Sequence, residues 1–246
     1  MFQKKLFLLN LVIAFLCFAN GAFAQKRIKG EGTVVKQNRE VGAFTKISLE
    51  SSADVEIMQW ATASVIVETY PNIAEILDIF VENSTLKIRM KKAYWEGWSV
   101  NADKLKIWIT NPTYEKISVS GSGNIVANGK LNASTIEVTV TGSGDLKIAD
   151  LSATNTKLQI TGSGNITAQG KSDATVITVT GSGDANFMNF VSRSVEARVA
   201  GSGNLSCNAT ENYDLNVSGS GDINYKKTNA AVNSHSSGSG SISSKN

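Results

Sequence analysis

Cysteine is almost missing from this chain. Only Cys17 and Cys207 occur in 246 residues. Cys17 lies in a segment that reads as removable, so no internal disulfide is expected to staple the mature protein. Histidine occurs once, at His235, which leaves no partner for a histidine-based metal cluster or proton relay. Proline occurs twice, at Pro71 and Pro112. Charge of one sign is missing as well: 24 Lys and Arg stand against 21 Asp and Glu. No basic field marks nucleic acid as a partner. Long apolar runs are missing too, with one exception, LFLLNLVIAFLCFA at 6–19. It is short for a membrane span. Lys4 and Lys5 precede it and the small-x-small stretch Ala22-Phe23-Ala24 follows it. Residues 1–24 therefore read as a signal peptide, and the mature chain is expected to begin at Gln25. Leu16 before Cys17 argues against a lipoprotein. Losing Lys4 and Lys5 lowers the formal net charge from +3 to +1. The expected location is exported, in the periplasm, at the cell surface or secreted, with no transmembrane segment after cleavage.

What the chain has in quantity is glycine, 21 residues, and most of it recurs in one phrase. Gly-Ser-Gly stands at 121–123, 142–144, 162–164, 181–183, 201–203, 219–221 and 238–240, at intervals of 18 to 21 residues. A period near 20 marks a solenoid. Each unit alternates apolar and polar residues, turns, and alternates again, as in Ile136 to Thr141, Gly-Ser-Gly-Asp and Leu146 to Ile148. Period-two alternation buries one face and wets the other. Val119, Val140, Ile160, Val179, Val199 and Val217 all sit two residues before a turn, and Ile125, Leu146, Ile166, Ala185, Leu205 and Ile223 all follow one. Stacked about 4.8 Å apart, such positions form apolar ladders that a single unit could not bury. The fold class expected is all-β, a β-helix-like solenoid of about seven coils.

The residue after each turn alternates: Asn124, Asp145, Asn165, Asp184, Asn204, Asp222, then Ser241. In a stack, this places like carboxylates two coils apart instead of one, which halves their Coulomb repulsion. It also lets each Asn amide donate to a neighbouring carboxylate. The ladder is expected to be structural. A calcium role would need several acidic ligands per turn at a shorter period, so no metal and no cofactor is expected.

Repeated Gly-Ser-Gly-[Asn/Asp]-apolar turns after a short strand resemble the family "putative auto-transporter adhesin, head GIN domain". The stretches 40–59, 64–90 and 104–123 resemble the family's opening, with Ser51-Ser52-Ala53-Asp54-Val55 as a degenerate turn. The resemblance spans 30–245. It implies a right-handed β-helix-like fold and a secreted or cell-envelope location, and it implies no established activity.

The mature chain is divided near Pro112, into an irregular β part at 25–111 and the regular repeat at 112–246, expected to form one body. PNIAEILDIF at 71–80 is the one helix candidate, but Ile76, Ile79 and Val81 also suit a strand, and a strand is expected. In the last unit the inward positions become Ser234 and Ser236, a polar end that would discourage edge pairing.

Chemistry is sparse. His235 lies where the alternation points outward. Cys207 falls in the inward column of Ala127, Ile148, Ala168 and Phe187, which suits a buried thiol better than a nucleophile. The most distinctive stretch outside the repeat is KKAYWEGWSVNADK at 91–104. It gathers Tyr94, Trp95 and Trp98 beside Lys91 and Lys92, a combination suited to sugar rings or peptide surfaces. The same residues would equally plug the body. These features point to a non-enzymatic, adhesin-like protein that contacts a glycan or a surface protein. The alternatives are a polysaccharide lyase-like enzyme, for which Lys147, Arg193 and Arg198 are the available cations, and a purely structural envelope component.

Overall fold

In a computed structural model, the described residues are 26–94 and 98–246. The elements run β1 (Lys26–Lys29), β2 (Val35–Asn38), β3 (Lys46–Leu49), β4 (Asp54–Gln59), β5 (Ser64–Thr69), α1 (Pro71–Ile76), β6 (Leu77–Glu82) and β7 (Thr85–Met90). A 3-10 turn at Lys92–Tyr94 leads to β8 (Trp98–Asn101), β9 (Leu105–Asn111) and β10 (Lys116–Val119). Five long strands follow: β11 (Asn124–Gly142), β12 (Leu146–Gly162), β13 (Ile166–Gly181), β14 (Ala185–Gly201) and β15 (Leu205–Gly219). The chain closes with β16 (Ile223–Lys226), β17 (Ala231–Gly238) and β18 (Ile242–Lys245).

Strands of 15 to 19 residues do not run straight here. Each leaves one Gly-Ser-Gly turn, bends at a corner and returns to the next turn, so one long strand is one coil of a β-solenoid. Neighbouring coils pair in parallel with the repeat in register: Gly142 opposite Gly162, Gly162 opposite Gly181, Gly181 opposite Gly201 and Gly201 opposite Gly219. The register slips only around the bend, between Ala127 and Lys130, Ile148 and Leu151, Thr167 and Gly170, and, in the next pair, Asn186 and Val191 and Ser192 and Ser194. A coil therefore has a side before the glycine turn, a side after it, and a short opposite corner that absorbs the difference in coil length.

The alternation fills a single core. Val119, Val140, Ile160, Val179, Val199 and Val217 are all buried, as are Ile125, Leu146, Ile166, Ala185, Leu205 and Ile223. Phe187 and Phe190 are the largest fully buried side chains, packed edge to face with centroids 6.3 Å apart. At the far end the ladder stops. β17 stacks Ser234 on Leu215 and Ser236 on Val217, and all eight of its residues are exposed.

The N-terminal part extends the same two sides and then closes them. β3 lies under β10 and β4 under the start of β11, so Ser51-Ser52-Ala53 forms the coil below Gly121. Beyond β3, parallel β7 and antiparallel β6 follow. Beyond β4, parallel β9 is followed by antiparallel β5 and β2. Between the two arms sits α1, which corrects the strand expected at 71–80. Pro71 occupies the first turn, where a missing N–H costs nothing. The helix buries Ile73, Ala74 and Ile76 in the body, and strand begins only at Leu77. The apolar spacing suits either conformation, and packing between the arms decides it.

Candidate functional site

The glycine turn is the most exactingly built feature of the coil. Its first glycine takes φ between +117° and +152° from Gly142 to Gly238, a region that disfavours any side chain. The carbonyl of that glycine then accepts two N–H groups from the next coil. Gly142 O, for example, receives Ser163 and Gly164 at 2.9 Å each. Coils joined this closely leave no room at the third glycine either. A Cβ on Gly183 would overlap the Gly164 carbonyl oxygen. Positive φ explains the first glycine and close approach explains the third.

The side chains after the turn form one chain of bonds. Asn165 donates both its backbone N–H and its amide to Asp145 Oδ1, each at 2.9 Å. Asp184 N–H donates to Asn165 Oδ1 at 2.9 Å. Asn204 repeats the double donation to Asp184 at 2.8 and 3.1 Å, and Asp222 N–H donates to Asn204 at 3.2 Å. Asp145 N–H donates to Asn124 Oδ1 at 3.1 Å. At the far end Ser241 gives Asp222 Oδ1 its N–H and its hydroxyl, both at 2.8 Å. Those two donors hold the Asp222 carboxyl below the usual range. Each carboxylate thus receives, beside a backbone N–H, a side-chain donor that only a neutral neighbour supplies. At the other end Asn124 Nδ2 donates to Asp54 Oδ1 at 2.9 Å. Asp54 is a ladder member that sequence reasoning left out. Carrying the alternation back one coil calls for an Asp there, so the signal was present.

Of the aromatic trio, Tyr94 ends the 3-10 turn, half-buried against the core. Trp95 lies outside the described residues. Trp98 opens β8, where its backbone pairs with Lys26, and its side chain lies outside the description. The structure brings forward two other tryptophans. Trp60 is 64% exposed beside Met58 on the outward face of the sheet. Trp108, on β9 opposite Glu56, donates Nε1–H to Glu56 Oε2 at 3.1 Å and lies 4.3 Å under the Lys36 ammonium. Period-two alternation puts both outside, since Val55 and Ile57, and Ile107 and Ile109, face in.

No cluster of three or more His, Cys, Asp or Glu side chains able to hold a metal occurs among the described residues. His235 is exposed on β17. Cys207 is buried, and burial pushes its thiol up to about 12, far from a reactive thiolate. Lys147, Arg193 and Arg198 fall on three different sides of the coil, and the two arginines are paired with Glu211 and Glu196.

The family model for "putative auto-transporter adhesin, head GIN domain" matches residues 43–230. The chain belongs to this family. The head GIN fold recurs in a solved putative adhesin from Bacteroides fragilis, 26% identical, which covers 89% of this chain and 100% of its own with a TM-score of 0.83. A putative lipid binding protein from Parabacteroides distasonis is also 26% identical, with 90% and 100% coverage and a TM-score of 0.73. A putative adhesin from the same species, 24% identical, shares the fold with a TM-score of 0.70 over 89% and 100% of the two chains. No curated protein matches. These likenesses support an adhesin-like role for this head GIN protein. No helix among its described residues is long and apolar enough to cross a membrane.

Proposed function

We infer that the protein is exported and works at the cell envelope or outside the cell as a non-enzymatic, adhesin-like binder of a glycan or a surface protein. The observation that carries this reading is the coil stack itself. Its outward side chains stand in fixed register on a hydrogen-bonded body, the family carries the description putative adhesin, and solved structures of the same build are named putative adhesins. A rigid array of this kind contacts a large partner without ordering cost. Tyr94, Trp95 and Trp98 are the proposed contact residues. The Asx ladder from Asn124 to Asp222 is assigned a structural role.

A binding array of glycans and matrix proteins, probed with residues 25–246, tests the reading. Binding that the Trp95→Ala/Trp98→Ala variant loses supports both the role and its site. Binding that the variant keeps refutes the site alone. Silence across the array favours a purely structural envelope component. The lyase-like alternative rests on fold analogy, and the separation of Lys147, Arg193 and Arg198 weighs against it. Release of unsaturated products from acidic polysaccharides would establish it.

A further inference from the structure

The corner opposite the glycine turns is hollow. A shallow groove crosses successive coils there, with a central volume of about 720 Å³ lined by Asn132, Ser134, Ser152, Thr154, Lys171 and Arg193 among others. A second hollow of about 550 Å³ shares Asn132, Ala133 and Ser134 and continues the groove toward Thr113 and Glu115. Both volumes fall in the range of ligand sites. The groove exists because the corner residues are small. Ala133 stacks on Ala153, Ala153 on Ser172 and Ser172 on Ser192, at the positions where the strands bend.

The lining identifies the ligand's chemistry. Ser134 and Thr154 are exposed on the groove wall, and their hydroxyls join those of Ser152 and Thr210 and the amide of Asn132. The buried hydroxyls behind them are already bonded to each other, Thr156 to Ser172 at 3.0 Å and Thr175 to Ser192 at 2.7 Å, which fixes the floor. The charges balance locally. Arg193 is held by Glu211 through two bonds of 2.9 and 3.3 Å, and Asp173 adds to that field. A peptide would need apolar pockets for its side chains. An acidic chain would need several uncommitted cations, and the lining offers one, Lys171, with Asp173 beside it on the same wall. A neutral, polyhydroxylated chain needs neither. Lining columns repeat at the coil spacing, about 4.8 Å, so a linear ligand with repeating hydroxyls meets similar partners at each coil.

We propose that this groove binds a neutral linear glycan laid along the solenoid axis. The site rests on the adhesin-like reading but is separate from the Tyr94, Trp95 and Trp98 loop. At the N-terminal mouth, Gln59 fastens the groove to the cap: its Nε2 donates to the Pro112 carbonyl at 2.7 Å, and its Oε1 accepts Asn132 N–H at 2.6 Å. The next residue is Trp60, whose exposed indole offers a stacking surface to a chain that leaves the groove at this end.

The test is calorimetric titration of residues 25–246 with cello-, laminari- and manno-oligosaccharides of increasing length, and with oligogalacturonate as the acidic arm. Affinity for one neutral series is expected to rise with length. The Ser134→Ala/Thr154→Ala variant, altered only at exposed hydroxyls, is expected to weaken it about tenfold or more, the effect of two lost hydrogen bonds. Ala153→Trp, which fills the floor, is expected to abolish it. A melting curve checks its folding, and the double variant decides the matter if it unfolds. Trp60→Ala is expected to weaken only the longest oligosaccharides. Trp95→Ala/Trp98→Ala is expected to leave groove binding intact. No neutral binding, acidic binding alone, or binding indifferent to the Ser134/Thr154 change would overturn the proposal. Binding lost only in the Trp95/Trp98 variant would overturn it while sparing the adhesin-like reading.

Discussion

Two glycines in this chain test separate physical demands. Gly183 has no positive φ, but a Cβ there would enter the Gly164 carbonyl, part of the backbone of the coil below. Gly183→Ala is expected to cost about 3 kcal/mol, since backbone cannot yield as a side chain does. Gly129 has φ +80° and open space around it, so Gly129→Ala should cost only about 1 kcal/mol, the penalty of the left-handed region. Urea unfolding of both variants separates the two; equal losses would refute the assignment of close approach to the third glycine. Acid probes the ladder's far end. The Asp222 carboxyl titrates below its ordinary value near 3.8 because Ser241 donates to its charged form twice. A lowered folded value contributes stability that is complete above the ordinary value and is lost as pH falls through the folded one. Protection of the Ser241 amide against hydrogen exchange is expected to drop in that acid window, and Asp222→Asn, which keeps the acceptor and removes the titration, should abolish the drop.

At the scale of the element, the coil was legible and the cap was not. Val138, Ile160 and Val179 announce their burial by period two, and the turns announce the stack by recurring. Nothing local separates Ile73 and Ile76 on a helix from Ile79 and Val81 on a strand. The choice falls to where α1 lies between the two arms, a tertiary fact. The candidate site was legible by the same measure. The Asx ladder repeats and was visible, except for Asp54 in a turn without glycine. The groove is a consequence of bends in the strands, and small residues at a bend carry no periodic signal. Within the element, volume sets stability. Phe187 occupies an inward column in which its neighbours one coil away on either side, Ala168 and Cys207, are smaller. Phe187→Ala is expected to cost about 3 to 5 kcal/mol. The buried Cys207 thiol supplies the readout: a disulfide reagent at neutral pH should label it slowly in the native protein and markedly faster in the variant, as opening becomes more frequent.

At the scale of the whole molecule, a solenoid is a sum of coils and the contacts between neighbours. Removing one complete coil should therefore preserve the fold. Deleting 162–180 joins Thr161 to Gly181, and the register that pairs Thr161 with Thr180 and Gly162 with Gly181 allows the splice without distortion. The inward columns then restack, Ile160 against Val199 and Leu158 against Ala197. The Asx ladder does not restack equally well. With Asn165 gone, Asp184 lies directly on Asp145, which has lost the side-chain amide donor of Asn165 and gained a like charge about 4.8 Å away. The shortened protein is expected to fold, to melt lower than the parent, and to recover part of the loss as salt is added. Asp184→Asn in the same deletion restores an Asp–Asn step and should recover the melting temperature at low salt with little further gain from salt. If the deletion melts identically with and without Asp184→Asn across ionic strength, the alternation of Asn and Asp contributes nothing to holding the coils together.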